Sequence, residues 1–183
     1  MTTTVGPFLM VNLERCVGCH TCELACSVAH TPSGTLFGAI LNNEALFPRN
    51  RVIQVEEVKL PTQCRQCEDA PCVRVCPTGA TFRTDTYIGV NTNLCIACKL
   101  CMMVCPFGAI QTTELQMGEK SKRAAIKCDL CVDRLNGPAC VEECPTKAIT
   151  LVYPKEVMEA ANRSSSVRYL DAVKSQIALE KQS

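Results

Sequence analysis

The sequence predicts an α+β protein in which short strands and short helices alternate around four cysteine-rich loops. Three observations carry this reading. Sixteen of the 183 residues are cysteine, and they fall into four groups of four. The apolar runs between the groups are strand-sized and bounded by Gly, Pro or Asn. Large core side chains are scarce, with no Trp, five Phe and three Tyr. A chain so short of bulky apolar groups needs cross-links to hold a fold, and disulfides or metal centres are the two standard sources.

Taken in chain order, Phe8–Val11 reads as the first strand. The first group, Cys16, Cys19, Cys22 and Cys26, follows, and Glu23–His30 has room only for a short helix. Residues 27–63 hold no cysteine; Thr31–Asn50 carries turn signals and Arg51–Leu60 reads as one strand. The second group is Cys64, Cys67, Cys72 and Cys76, with a short helical segment at Val73–Cys76 and a strand at Tyr87–Val90. Next come Cys95, Cys98, Cys101 and Cys105, then a strand at Ile110–Leu115. The last group holds Cys128, Cys131, Cys140 and Cys144, followed by a strand at Ile149–Tyr153.

Three groups end in Cys-Pro, at Pro77, Pro106 and Pro145, whereas the first ends in Cys26-Ser27. After each Cys-Pro a small pattern repeats: Thr78-Gly79-Ala80, Phe107-Gly108-Ala109 and Thr146-Lys147-Ala148. Beyond Tyr153 a tail begins. Pro154 suits the first turn of a helix, Lys155–Asn162 has good helix formers, and Ser164–Ser166 interrupts and caps a second helix from Val167 to about Lys181. Val167, Leu170, Val173 and Ile177 fall on one side of it.

Disulfides would suit a secreted chain, but the N-terminus has neither a basic region nor a long apolar stretch, so metal ligation is the expectation. No apolar run approaches the roughly 18–20 residues of a membrane span, so no direct span is expected and membrane attachment would come through a partner. A cytoplasmic location follows as the expectation.

The spacing identifies the metal centre. Cys-x-x-Cys-x-x-Cys brings three thiolates from one tight loop around a compact inorganic core. In ferredoxins the cysteine of a following Cys-Pro points away and ligates the other cluster. The third group fits this run throughout and the first fits it apart from the missing Pro. Structural zinc sites usually use two well-separated Cys-x-x-Cys knuckles, so three thiolates at successive two-residue gaps are poor zinc grammar. The second and fourth groups alone have wider gaps that suit zinc, but their Cys-x3-Cys-Pro endings align them with the others. Four [4Fe–4S] clusters, about −2 each with their thiolates, would turn the formal +1 into about −7, which disfavours nucleic acid.

The segments CRQCEDAPCVRVCPTGA and KCDLCVDRLNGPACVEECPTKA resemble the four-cluster iron–sulfur subunit family. Its members serve formate dehydrogenase, formate hydrogenlyase, dimethyl-sulfoxide reductase, carbon monoxide dehydrogenase and tungsten aldehyde oxidoreductase. The resemblance covers about residues 8–153 and fills all sixteen ligand positions. Some nitrate- and dimethyl-sulfoxide-reductase relatives lack the third cysteine of the third group; Cys101 is present here, so no three-iron centre is implied.

The resemblance implies a ligand pairing. Cys16, Cys19, Cys22 and Cys144 would hold one cluster (set a), and Cys26, Cys128, Cys131 and Cys140 another (set b). Cys64, Cys67, Cys72 and Cys105 would form set c, and Cys76, Cys95, Cys98 and Cys101 set d. Two nested bacterial-ferredoxin-like modules follow: an outer one, residues 1–63 and 106–153, an inner one, residues 64–105, and a helical docking tail, residues 154–183. The implied role is an electron-transfer subunit without a catalytic residue of its own. It would pass single electrons between a catalytic oxidoreductase subunit and a second redox partner, such as a hydrogenase, a flavin or NAD subunit, or a ferredoxin. The preferred catalytic partner is a molybdenum- or tungsten-pterin formate or aldehyde oxidoreductase, followed by carbon monoxide dehydrogenase or a hydrogenase. A free polyferredoxin and an assembly accessory protein are the alternatives. The tail could also mediate self-association.

Neither histidine reads as a ligand; His20 and His30 are expected beside the clusters or on the surface. Gly79 and Gly108 read as simple turns. Arg15, Arg65, Arg74, Lys99, Lys127 and Arg134 lie beside the cysteines and read as a solvated mixed surface, with tuning of cluster potentials as the second reading.

Overall fold

The computed structural model describes residues 6–117 and 120–180. It divides into two compact units, residues 1–151 and 152–183, which are taken separately. In the first, β1 (Phe8–Val11) precedes the first cysteine loop and α1 (Thr21–Ala29). Next, α2 (Leu36–Leu41) starts on Thr35, whose hydroxyl accepts from the Gly38 N–H at 3.2 Å. The hairpin β2 (Asn50–Val55) and β3 (Val58–Gln63) leads into the second group. There α3 (Pro71–Arg74) starts on Pro71, whose missing N–H costs nothing in the first turn. It is followed by the short hairpin of β4 (Thr81–Arg83) and β5 (Ile88–Val90). The third group carries α4 (Leu100–Met103), then the long hairpin of β6 (Ile110–Met117) and β7 (Lys120–Lys127). The last group carries α5 (Ala139–Glu142) and ends in β8 (Ile149–Val152).

Among the described residues every sheet has two strands, and the only non-consecutive pair is β1 with β8. That pair joins the start of the unit to its end, and Asn12 extends it by donating to the Ala148 carbonyl at 2.8 Å. Helix packing repeats the pattern: α1 lies against α5, and α3 against α4. Two cores result. One gathers Leu9, Leu130, Ala148 and Ile149 around Cys22, Cys64, Cys128, Cys140 and Cys144. The other gathers Ala80, Ile88, Ile110, Ala124 and Ala125 around Cys72, Cys95 and Cys101.

Three expectations change. Arg51–Leu60 is two strands of a hairpin rather than one, because Glu56 adopts a left-handed conformation (φ 52°) at the tip. The apolar alternation runs through this turn, and two adjacent carboxylates that need solvent, Glu56 and Glu57, replace the usual Gly or Asn. The strand β7 was not expected, since its first half, Lys-Ser-Lys-Arg, looks like surface. Its pairing with β6, in register from Ile110–Lys127 onward, places Ala124, Ala125 and Ile126 in the interior.

The second unit is one continuous helix, α6 (Pro154–Glu180), not two. The serines expected to interrupt it are absorbed: Ser166 Oγ donates to the Asn162 carbonyl at 2.9 Å, four residues back. Of the expected apolar stripe, Val167 and Leu170 are exposed, while Val173 and Ile177 lie outside the residues whose side chains are described. Among the described residues no helix is long and apolar enough to cross a membrane.

Candidate metal centres

None of the sixteen cysteines forms a disulfide, and fourteen of them are buried or half-buried; Cys19 and Cys98 alone are exposed. Each two-residue Cys-x-x-Cys gap that opens a group turns through a left-handed residue: Gly18 (φ 68°), Gln66 (φ 51°), Ala97 (φ 55°) and Leu130 (φ 62°). Three of these carry side chains, at a cost of roughly 1–2 kcal/mol each. The geometry returns a hydrogen bond to the first cysteine of the loop. Gln66 N donates to Cys64 Sγ at 3.5 Å, and Ala97 N to Cys95 Sγ at 3.4 Å.

The repeated pattern after Cys-Pro has the same purpose. Gly79, Gly108 and Lys147 are left-handed (φ 65°, 56° and 50°). The turn delivers backbone N–H groups to the cysteine sulfur, from Thr81 to Cys76 at 3.4 Å, Ala109 to Cys105 at 3.5 Å and Ala148 to Cys144 at 3.2 Å. Such donors stabilise negative charge on sulfur and raise cluster potentials.

Two cavities have cysteines as their polar walls. One is lined by Cys16, Cys19, Cys22 and Cys144, with Val52 and Ile149 among its apolar neighbours. The other is lined by Cys64, Cys67, Cys72 and Cys105 with Ile88 and Phe107. These are sets a and c of the sequence reading. Cys140 packs close to Cys128, Cys26 and Cys131, the members of set b, and also feels Cys22. Cys101 lies beside Cys95 and Cys98, and Cys76 packs on the same core.

The donor chemistry fits a metal–sulfur group. Burial pushes the thiols of Cys22 and Cys72 up to about 11 and that of Cys128 to about 12, and raises Cys140 further. Crowded thiols of this kind become thiolates only with a cation among them. Burial also opposes ionisation of Cys76, but donors from Thr81 and Thr78 outweigh it and bring the thiol down to about 7.

A group not singled out in the sequence surrounds set b. Asp129 sits between Cys128 and Cys131, accepts from the Cys131 N–H at 3.0 Å, and pairs with Arg49. His30 Nε2 lies 3.1 Å from Asp129, and its Nδ1 lies 2.7 Å from the Cys26 carbonyl and 3.8 Å from Cys26 Sγ. Burial lowers the imidazole pKa, but Asp129, Cys131 and Cys26 outweigh it and raise it to about 11, so His30 is a cation. Although His30, Asp129 and Cys131 converge, Arg49 and the charged imidazole already neutralise the carboxylate, so they support set b rather than a separate metal. Arg49 closes the arrangement by donating its backbone N–H to Cys26 Sγ at 3.2 Å. The Cys-Asp-Leu-Cys loop was the available signal for Asp129; no pattern pointed to Arg49. His20, by contrast, is an exposed partner of Glu23 at 3.0 Å.

Four thiolate-rich loops, with backbone donors aimed at sulfur, define a carrier of iron–sulfur clusters built on the ferredoxin plan. Comparison with known proteins gives the family. Residues 55–153 match a 4Fe-4S dicluster domain, and residues 13–29 a 4Fe-4S binding domain. An iron-sulfur protein of Rhodospirillum rubrum is 48% identical over 153 residues, covering 79% of this chain and 80% of that one. The electron transport protein HydN of Escherichia coli is 40% identical over 154 residues, 79% of this chain and 87% of its own. Formate hydrogenlyase subunit 2 of Escherichia coli is 35% identical over 190 residues, covering 88% and 89%. The chain belongs to the ferredoxin-type [4Fe–4S] electron-transfer family, and its cofactors are [4Fe–4S] clusters.

Proposed function

We propose that this protein is the electron-transfer subunit of a larger oxidoreductase, with sets a, b, c and d as the ligands of four [4Fe–4S] clusters. The bound clusters supply one-electron redox chemistry. The chain supplies the thiolates, the sulfur-directed N–H donors and the apolar walls that keep water away. The pairing of α1 with α5, α3 with α4 and β1 with β8 supports two nested modules, residues 1–63 with 106–153 outside and 64–105 inside. The tail, residues 154–183, is read as a docking arm.

One observation carries the two-partner reading. We read the sets in the order a, b, c, d, since Cys140 of set b feels Cys22 of set a, and Cys128 of set b feels Cys64 of set c. Sets c and d share a core through Cys72 and Cys101. The exposed cysteines, Cys19 and Cys98, belong to sets a and d at the two ends of that order. Each has an exposed apolar residue in its own loop, Val17 and Ile96, with Leu13 and Leu24 near the first and Leu94 and Met103 near the second. Such patches suit transient redox docking.

The preferred catalytic partner is a molybdenum- or tungsten-pterin formate or aldehyde oxidoreductase, ahead of carbon monoxide dehydrogenase or a hydrogenase, and the likeness to formate hydrogenlyase subunit 2 supports a complex acting on formate. The test is purification from native cells. A stoichiometric large subunit carrying a pterin, with about sixteen iron and about sixteen acid-labile sulfides in this chain, is the expected result. A chain recovered alone, or with about eight iron, overturns the reading.

A further inference from the structure

Lys127 is the one basic residue of the six near the cysteines that the solvated-surface reading misplaces. It is 2% exposed at the end of β7, beside Gln66, which is 5% exposed. Its Nζ donates to the Ile88 carbonyl and, at 2.7 Å, to the Cys128 carbonyl. Gln66 grips the same two residues, donating to the Cys128 carbonyl at 3.0 Å and accepting from the Ile88 N–H at 2.8 Å. Ile88 walls the cavity of set c, Gln66 lies in the loop between Cys64 and Cys67 of that set, and Cys128 opens set b. The two side chains therefore form a buried polar node where set b meets set c.

A buried ammonium is costly unless an anion compensates it. Two carbonyls satisfy hydrogen bonds but bring no net charge. Among the described residues no carboxylate pairs with Lys127. The other charged groups around the cavity it shares are Arg49, Asp129 and Asp133, of which Asp129 is already paired with Arg49 and His30. Asp133 is exposed to solvent, so the buried negative groups that remain are the thiolates. Lys127 directly precedes Cys128 of set b, and its Nζ is held on the carbonyls of Cys128 and of Ile88, which walls the cavity of set c.

We infer that Lys127, fixed by Gln66, is a positioning residue that serves as the shared counter-charge of sets b and c, raising the reduction potentials of the two central clusters together. This rests on the ligand sets proposed above. The need is physical: neighbouring anionic centres repel an added electron, and a cation between them lowers that barrier at the junction of the two modules. At an effective dielectric of about 20, a unit charge moves a one-electron equilibrium about tenfold at about 12 Å and more at shorter separations.

The experiment is an anaerobic potentiometric titration of the loaded full chain, followed by electron paramagnetic resonance. Signals are assigned by removing one ligand at a time with Cys19→Ala, Cys26→Ala, Cys67→Ala and Cys98→Ala. In Lys127→Gln, which keeps a donor without the charge, the reduced-to-oxidised ratio of the two central clusters should fall about tenfold or more at fixed potential. That is a shift of about 59 mV; the clusters of sets a and d, farther from the charge, should shift distinctly less, and Lys127→Arg should restore the wild-type values. If Lys127→Gln and Lys127→Met load poorly, the inference still requires that the signals of b and c vanish while those of a and d persist, with rescue by arginine. Full loading with unmoved central potentials overturns it, as does iron loss at a or d, or no rescue by arginine. A wild-type protein without four assignable signals would instead defeat the ligand sets themselves.

Discussion

Replacing Asp129 by alanine should weaken the protein at one place that the geometry identifies. The carboxylate holds Arg49, His30 and the Cys131 N–H at once. Removing it leaves two cations facing each other beside set b. The side chains of Asp129, Arg49 and His30 are 20%, 23% and 14% exposed. An exposed ion pair contributes about 0–1 kcal/mol, whereas breaking a fully buried one costs about 3–5 kcal/mol. At one-fifth exposure about 2–3 kcal/mol is expected, including the orphaned N–H of Cys131. Asp129→Asn keeps an acceptor for that N–H and should lose roughly half as much. The assay is denaturant unfolding of the anaerobically loaded protein, with a parallel chelator challenge. Asp129→Ala should lower the midpoint and release about four of the irons ahead of the rest, those of set b, since its Cys128–Cys131 loop is loosened. An unchanged midpoint together with uniform iron release would refute the role given to this triad.

Three further outcomes follow from the fold. Leu9→Ala, at a site 1% exposed in the core beneath the β1–β8 pair, should cost about 2–5 kcal/mol; chelation should then empty sets a and b before c and d. Glu44 is held below its ordinary value by the Ser33 hydroxyl and backbone, with Asn42 assisting, against a slight burial effect. A depressed carboxylate contributes order that is present above the usual glutamate range and lost as pH falls through its lowered value. The protection factor of the Ser33 amide, its exchange rate relative to the intrinsic rate at the same pH, should therefore fall on acidification, and Glu44→Gln should show the lower protection already at neutral pH. Deleting residues 155–183 should leave the iron content unchanged while abolishing co-purification with the large subunit or self-association, read by size-exclusion chromatography. A truncated protein that assembles as before would leave the helix without a docking role.

The cysteine grouping, with the strand-sized apolar runs between the groups, determined the α+β class, the cluster type and the short-helix, short-strand rhythm, because cluster ligation imposes spacing that tolerates little variation. The Cys-Pro repeats were visible as well, and they proved to be the turns that aim backbone N–H groups at sulfur. What lay outside the sequence were the contacts between residues remote in the chain, other than the cysteine sets that the family resemblance implied. The strand β7 hides behind four polar residues until β6 pairs with it. Neither the Arg49–Asp129 ion pair nor the approach of Gln66 to Cys128 spans a recognisable interval, since the partners lie 80 and 62 positions apart. Lys127 reads as one more surface cation in Ile-Lys-Cys, and only burial between two thiolate sets makes its charge consequential. Hydropathy and spacing report what a residue prefers locally; the dielectric around a charge is a property of the packed fold, and it decides how strongly that charge acts.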